Sequence, residues 1–113
     1  MKQEHLANFC IAGFTYYDGA LVFRKLKVGK KLTLKLEEDN KYDARAVAIY
    51  YKSHKIGFVP RTENRMFYKL LKVGLEDYVQ ILVQQKNKSQ SPESQVRVVC
   101  FLQNPEQDSS KND

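Results

Sequence analysis

Cysteine and histidine are scarce in this sequence, and that removes most routes to chemistry. There are two cysteines, Cys10 and Cys100, and two histidines, His5 and His54. A secreted disulfide scaffold carries more cysteines at tighter spacing. Two free thiols in apolar strand contexts, in a reducing cytoplasmic setting, is the reading. No CxxC or HxxH occurs, so no zinc site is expected. His5 lies in a terminal segment and His54 in a turn, so neither pairs with a cysteine as a catalytic dyad. None of the five glycines falls in GxGxxG or GxxxxGK spacing, and there is no GxSxG elbow. No enzyme, metal or cofactor is expected.

Long apolar runs are also missing. The longest, such as Val98-Val99-Cys100-Phe101-Leu102, fall far below the ~20 residues of a membrane span. The start, Met1-Lys2-Gln3-Glu4-His5, has no apolar stretch behind a basic beginning, so no secretory signal and no membrane partner are expected.

What remains is ordinary globular material. The 113 residues are 42% hydrophobic and 28% charged, enough for one domain with one core. The net charge of +6 favours an anionic partner. Its distribution sharpens this: residues 22–35 carry Arg24, Lys25, Lys27, Lys30, Lys31 and Lys35 without an acid. Residues 52–72 carry six cations against Glu63 alone, while acids collect at Glu37-Glu38-Asp39 and in the tail.

The dominant hydrophobic period is two. Leu32, Leu34 and Leu36 alternate with Thr33, Lys35 and Glu37; Val79, Ile81 and Val83 alternate with Gln80 and Gln84; and Val96, Val98, Cys100 and Leu102 alternate with Arg97, Val99 and Phe101. Residues 46–51 and 55–59 form two short runs at hairpin spacing, joined by Lys52-Ser53-His54. A first strand is expected over residues 8–15. About six strands without βαβ alternation predict a mainly β, β-rich α+β fold, a small OB-like or SH3-like antiparallel barrel. A helix is expected after Pro60, capped by Thr62, with Met66, Phe67, Leu70, Leu71 and Val73 at helical spacing and Gly74 as its stop. A shorter one is expected over residues 20–27. Residues 86–94 read as an exposed hairpin loop. The organisation is then a flexible start (1–7), a folded domain (8–103) and a polar, disordered tail (104–113).

Three segments stand apart from this pattern. In Gly13-Phe14-Thr15-Tyr16-Tyr17-Asp18-Gly19, two tyrosines lie between glycines at a strand exit; they are either a structural pair or a stacking surface for bases. In residues 39–47, Asn40 and Asp43 are turn formers and Tyr42 interrupts the polar run; by spacing alone this is a β-turn with a partly exposed ring. In Ile56-Gly57-Phe58-Val59-Pro60-Arg61, Gly57 permits a ligand or another backbone to come close, and Arg61 stands at a helix entrance where a phosphate can be held.

Together and in this order, these segments resemble the HIRAN domain family. The similarity runs from about Cys10 to Leu102, on the Gly13–Tyr16–Tyr17–Gly19 start, the Asn40-Lys41-Tyr42-Asp43 centre and the Ile56-Gly57-Phe58-Val59-Pro60-Arg61 strand. The resemblance implies an OB-like barrel. It also implies capture of the 3′ end of single-stranded DNA, as in the helicase-like transcription factors, where the domain is joined to an ATPase and a RING finger. Carried over, Tyr16 and Tyr42 clamp the terminal base, with Tyr17 beside them. Asp43 accepts a hydrogen bond from the 3′-hydroxyl, Asn40 shapes the pocket, and Phe58 and Arg61 line its edge. The implied partners are single-stranded DNA and a helicase or other DNA-processing protein, with a place in DNA repair. Lys41 replaces the usual proline, Thr15 stands where DNA-binding members have arginine, and Phe58 replaces a polar residue or tyrosine. With neither an ATPase nor a RING finger in its 113 residues, the chain resembles the free-standing or loosely attached HIRAN domains of bacteria and phages. The alternative function is a protein- or peptide-interaction module using the same groove or the barrel edge.

Overall fold

The computed structural model describes residues 2–106. Six strands are formed: β1 (Gln3–Cys10), β2 (Lys31–Leu36), β3 (Val47–Tyr51), β4 (His54–Phe58), β5 (Val79–Lys86) and β6 (Val96–Gln103). They make one antiparallel sheet in the order β1-β6-β5-β2-β3-β4.

The period-two pattern explains their faces. Leu32 and Leu34 are buried while Lys31, Thr33 and Lys35 are exposed. Val96, Val98 and Cys100 point inward from β6, as do Ile81 and Val83 from β5. The loop between β5 and β6 is exposed, as its composition predicts, and holds a short 3-10 helix over Pro92–Ser94.

The first strand departs from expectation. It begins at Gln3 rather than residue 8 and ends at Cys10, so residues 3–7, expected to be loose, pair with β6. Gln3 lies opposite Gln103. Residues 14–16, expected to extend the strand, instead form a 3-10 helix behind Gly13, whose φ of 69° turns the chain. Of the expected tail, residues 107–113 lie outside the described residues.

The hydrogen-bonded ladders do not close the sheet into the expected barrel. Among the described residues, the backbones at its two edges, β1 and β4, are joined by an isolated bridge between Ala12, just past β1, and Phe58. Ala12 and Phe58 exchange both backbone hydrogen bonds, each 2.9 Å. Register shifts in β1, β4 and β5 supply the bending that brings the edges this close. Gly57 makes the crossing possible. Its φ is +146°, and a Cβ there would lie 2.5 Å from the Ala12 carbonyl oxygen. The close approach that Gly57 permits is therefore that of the chain's own backbone.

Two helices complete the fold. α1 (Gly19–Val22) passes into a 3-10 helix over Phe23–Lys25, shorter than the expected 20–27. Val22 and Leu26 are buried, but Leu21 is 73% exposed, so one turn is all that its apolar residues can dock. α2 (Asn64–Lys72) starts later than expected: Glu63, not Thr62, is the N-cap residue, and no side chain caps the helix. Phe67 and Leu71, one turn apart, enter the core, and the Phe67 ring meets Phe9 edge-on at 5.9 Å. Gly74, at φ +81°, ends the helix through its N–H to the Leu71 carbonyl, with Leu75 bonding back to Leu70.

Both cysteines are free thiols. Cys10 is half-buried, and Cys100 is fully buried. Burial, reinforced by the charge of Glu63, pushes the Cys100 thiol from 9.0 up to about 12. No helix among the described residues is long and apolar enough to cross a membrane.

Two outcomes follow. Gly57→Ala forces the Ala12–Phe58 seam apart and lowers the unfolding free energy in urea by about 3 kcal/mol. A thiol reagent at pH 8 modifies Cys10 alone in the native protein and both cysteines in denaturant. Because the Cys100 pKa is raised on folding, its contribution to stability is intact below pH 9 and declines as pH rises towards 12.

Candidate nucleic-acid interface

The Ala12–Phe58 seam is one wall of an open pocket of about 240 Å³. The other wall is the 39–46 loop, which leads into β3. All seven residues singled out in the sequence line it: Tyr16, Tyr17, Asn40, Tyr42, Asp43, Phe58 and Arg61. Ala12, Gly13, Ala46 and Val59 supply the remaining surface.

The loop is held by its own side chains. Asn40 Oδ1 accepts the backbone N–H groups of Tyr42 (2.8 Å) and Asp43 (3.0 Å), the turn that its residue type predicts. Its amide donates to Glu37 Oε1 at 3.1 Å. Asp43 Oδ1 accepts the Arg45 N–H at 2.9 Å, and Asp43 Oδ2 accepts from Asn64 Nδ2 at 2.8 Å. Arg61 donates to the Tyr42 carbonyl at 2.8 Å, and its Nε lies 3.7 Å from Asp43 Oδ2. With every anchor on the backbone or on short polar groups, the Tyr42 ring has nothing to pack on and is 85% exposed.

On the facing wall Tyr16 is equally exposed, at 85%. Tyr17 is more covered: its ring meets Phe58 edge-on at 5.5 Å. The Lys55 ammonium lies 4.8 Å from the centroids of both these rings and pairs with Glu37. Burial pulls the Lys55 pKa down, but the hydrogen bond and charge of Glu37 more than reverse this, leaving it above 10.5. Lys55 is thus a fixed cation that joins the tyrosine wall, through Glu37 and Asn40, to the loop. Thr15 and Lys41 are exposed and do not line the pocket.

Three contributors escaped sequence reasoning. Lys55 and Glu37 read as ordinary strand-end charges. Asn64 is the one polar side chain among the described residues that is buried, at 3% exposure, and its amide fixes the Asp43 carboxylate. An asparagine at the first position of an amphipathic helix was the available signal. Among the described residues, no group of three or more His, Cys, Asp or Glu is placed to hold a metal ion.

The HIRAN domain family model matches residues 6–103. The chain belongs to the HIRAN domain family. Two solved structures share its fold. A protein from Lactobacillus plantarum superposes with a TM-score of 0.74 at 20% identity, covering 89% of this chain and 95% of that one. The HIRAN domain of human HLTF superposes with a TM-score of 0.62 at 10% identity, covering 96% of this chain and 84% of that one. No curated protein matches the sequence. In this HIRAN domain the polar scaffold described above is what shapes the pocket.

Asn64→Ala tests that scaffold. It leaves Asp43 Oδ2 short of its buried donor and lowers the unfolding free energy by about 1–3 kcal/mol. Amide exchange at Arg45, whose N–H depends on the Asp43 carboxylate, should accelerate more than at Val47 in the strand.

Proposed function

We propose that this HIRAN domain is a binding module, not an enzyme, and that it captures the 3′ end of single-stranded DNA in the tyrosine-walled pocket. The observation that carries the reading is the pair of exposed rings, Tyr16 and Tyr42, at the mouth of a pocket that also holds a carboxylate and a guanidinium. Two large rings left out of the core on facing walls suit the two faces of one base. Stacking on such rings contributes about 1–3 kcal/mol per base and tolerates any base.

Asp43 gives the pocket its preference for an end. A carboxylate has about four acceptor positions. The Arg45 N–H and the Asn64 amide occupy two, and Arg61 lies further off. A terminal hydroxyl can donate to what remains, whereas a terminal phosphate meets a like charge. Arg61, largely exposed and tethered through the Tyr42 carbonyl, is placed to meet the preceding phosphate. In this reading the Ala12–Phe58 bridge is the seam of an OB-like barrel, and the captured end is passed to a separate DNA-processing protein. The outer edge of β4 is poorly suited to an added peptide strand, because Ala12 occupies Phe58 and the Asp18 N–H occupies the Lys55 carbonyl.

The test is fluorescence anisotropy with a labelled oligothymidylate ending in a 3′-hydroxyl, beside the same oligonucleotide ending in a 3′-phosphate. Wild type should prefer the hydroxyl by about tenfold or more. Tyr42→Ala should weaken binding by the about 1–3 kcal/mol of one stack. Asp43→Asn keeps the turn geometry but removes the charge, so the two ends should become nearly equivalent. A wild type indifferent to the end, or a Tyr42→Ala variant that binds as well as wild type, sinks the reading.

A further inference from the structure

The pocket opens onto a face that carries its own pattern. In the β2–β3–β4 register, Thr33 lies opposite Tyr50 and Lys35 opposite Ala48, while Tyr50 lies opposite Lys55 and Ala48 opposite Phe58. Directly paired residues share a face, and alternation adds Lys31 to it. The outer face therefore runs from the pocket residue Phe58, past Lys55, to Tyr50 and Lys35 and on to Lys31. The Lys35 ammonium lies 4.7 Å from the half-buried Tyr50 ring. Glu37, next in the alternation, is paired with Lys55.

This face ends at a second depression, where the start of β2 meets the β3–β4 turn. Lys27, Lys30, Lys31 and Lys52 line it, around the exposed backbone of Gly29. Among the described residues no ion pair engages these four lysines or Lys35; the paired carboxylates are those of Asp18, Glu37, Glu38 and Asp43, on other cations. Unpaired like charges gathered on one surface repel one another, and a polyanion relieves that repulsion. From Ala48, opposite the pocket residue Phe58, to Tyr51 at the end of β3 is three strand steps, about 10 Å at about 3.3 Å each, and Lys52 follows in the turn. That is the reach of a chain of phosphates rather than of a single anion. The ring of Tyr50 midway offers it a stacking step.

We propose that a single strand leaving the pocket crosses the outer face over Lys35 and Tyr50 and lays its phosphates on Lys31 and Lys52, ending over Lys27 and Lys30. The polarity of that strand rests on the end-capture reading. The track itself stands on the unpaired lysines and their register. It gives the domain a footprint of several nucleotides, within the roughly 4–16 typical of such modules.

The experiment compares oligothymidylates of three and twelve nucleotides, both with a 3′-hydroxyl, on wild type and on Lys31→Glu/Lys52→Glu. Wild type should bind the longer strand about tenfold more tightly, and the double variant should bind both as wild type binds the shorter. Lys31→Gln/Lys52→Gln, which serves too if charge reversal impairs folding, should reduce the log–log salt slope for the longer strand by about 1.4. Equal affinity for the two lengths in wild type, or a length advantage that survives both double variants, overturns the track and leaves end capture standing. Binding of the long strand alone, sensitive to the lysine changes, supports the track and removes end capture. Failure of both lengths to bind overturns both readings.

Discussion

Two backbone hydrogen bonds, exchanged between Ala12 and Phe58, decide where the candidate pocket of this protein lies. Among the described residues they form the one backbone bridge between the edges of an otherwise open sheet. The tyrosine segment follows immediately on one side and Val59, Pro60 and Arg61 on the other, so a single contact aligns both with the 39–46 loop. Gly57 is its condition, since a side chain there would occupy the space of the crossing backbone. The contact is also long-range, joining residues 46 apart in sequence, so its cost in chain entropy must be met by the sheet it completes.

The pocket wall built on that contact is polar, and this explains how the loop can be held while its aromatic ring stays exposed. Asn40, Asp43, Asn64 and Arg61 bond chiefly to backbone groups and to one another around Tyr42. None of these bonds needs the ring. The loop keeps its shape through turn chemistry while its apolar surface remains available. Opposite it, Lys55 between Tyr17 and Phe58 does the converse, using a cation to hold two rings together.

Strands with a buried face were legible because alternation is written directly into residues such as Leu32, Leu34, Val96 and Val98. The beginning of β1 was not, because Gln3, Glu4 and His5 are exposed and carry no apolar signal; only pairing with β6 makes them a strand. The barrel was an inference from strand number, whereas closure depends on where one bridge forms. The site residues were legible as a group through family resemblance, and they do share one pocket. Their supports were not, since Asn64 meets Asp43 across 21 positions and Lys55 meets Glu37 across 18. Lys55 and Glu37, each paired with a partner distant in sequence, leave no local mark.

The pairing of Gln3 with Gln103 sets the first and last strands side by side at one border of the sheet. A fold whose entry and exit points adjoin can be spliced into a surface loop of another protein without prising that loop apart. Such a domain is portable: its host needs only a short gap, and the pocket travels with the insert as a finished unit.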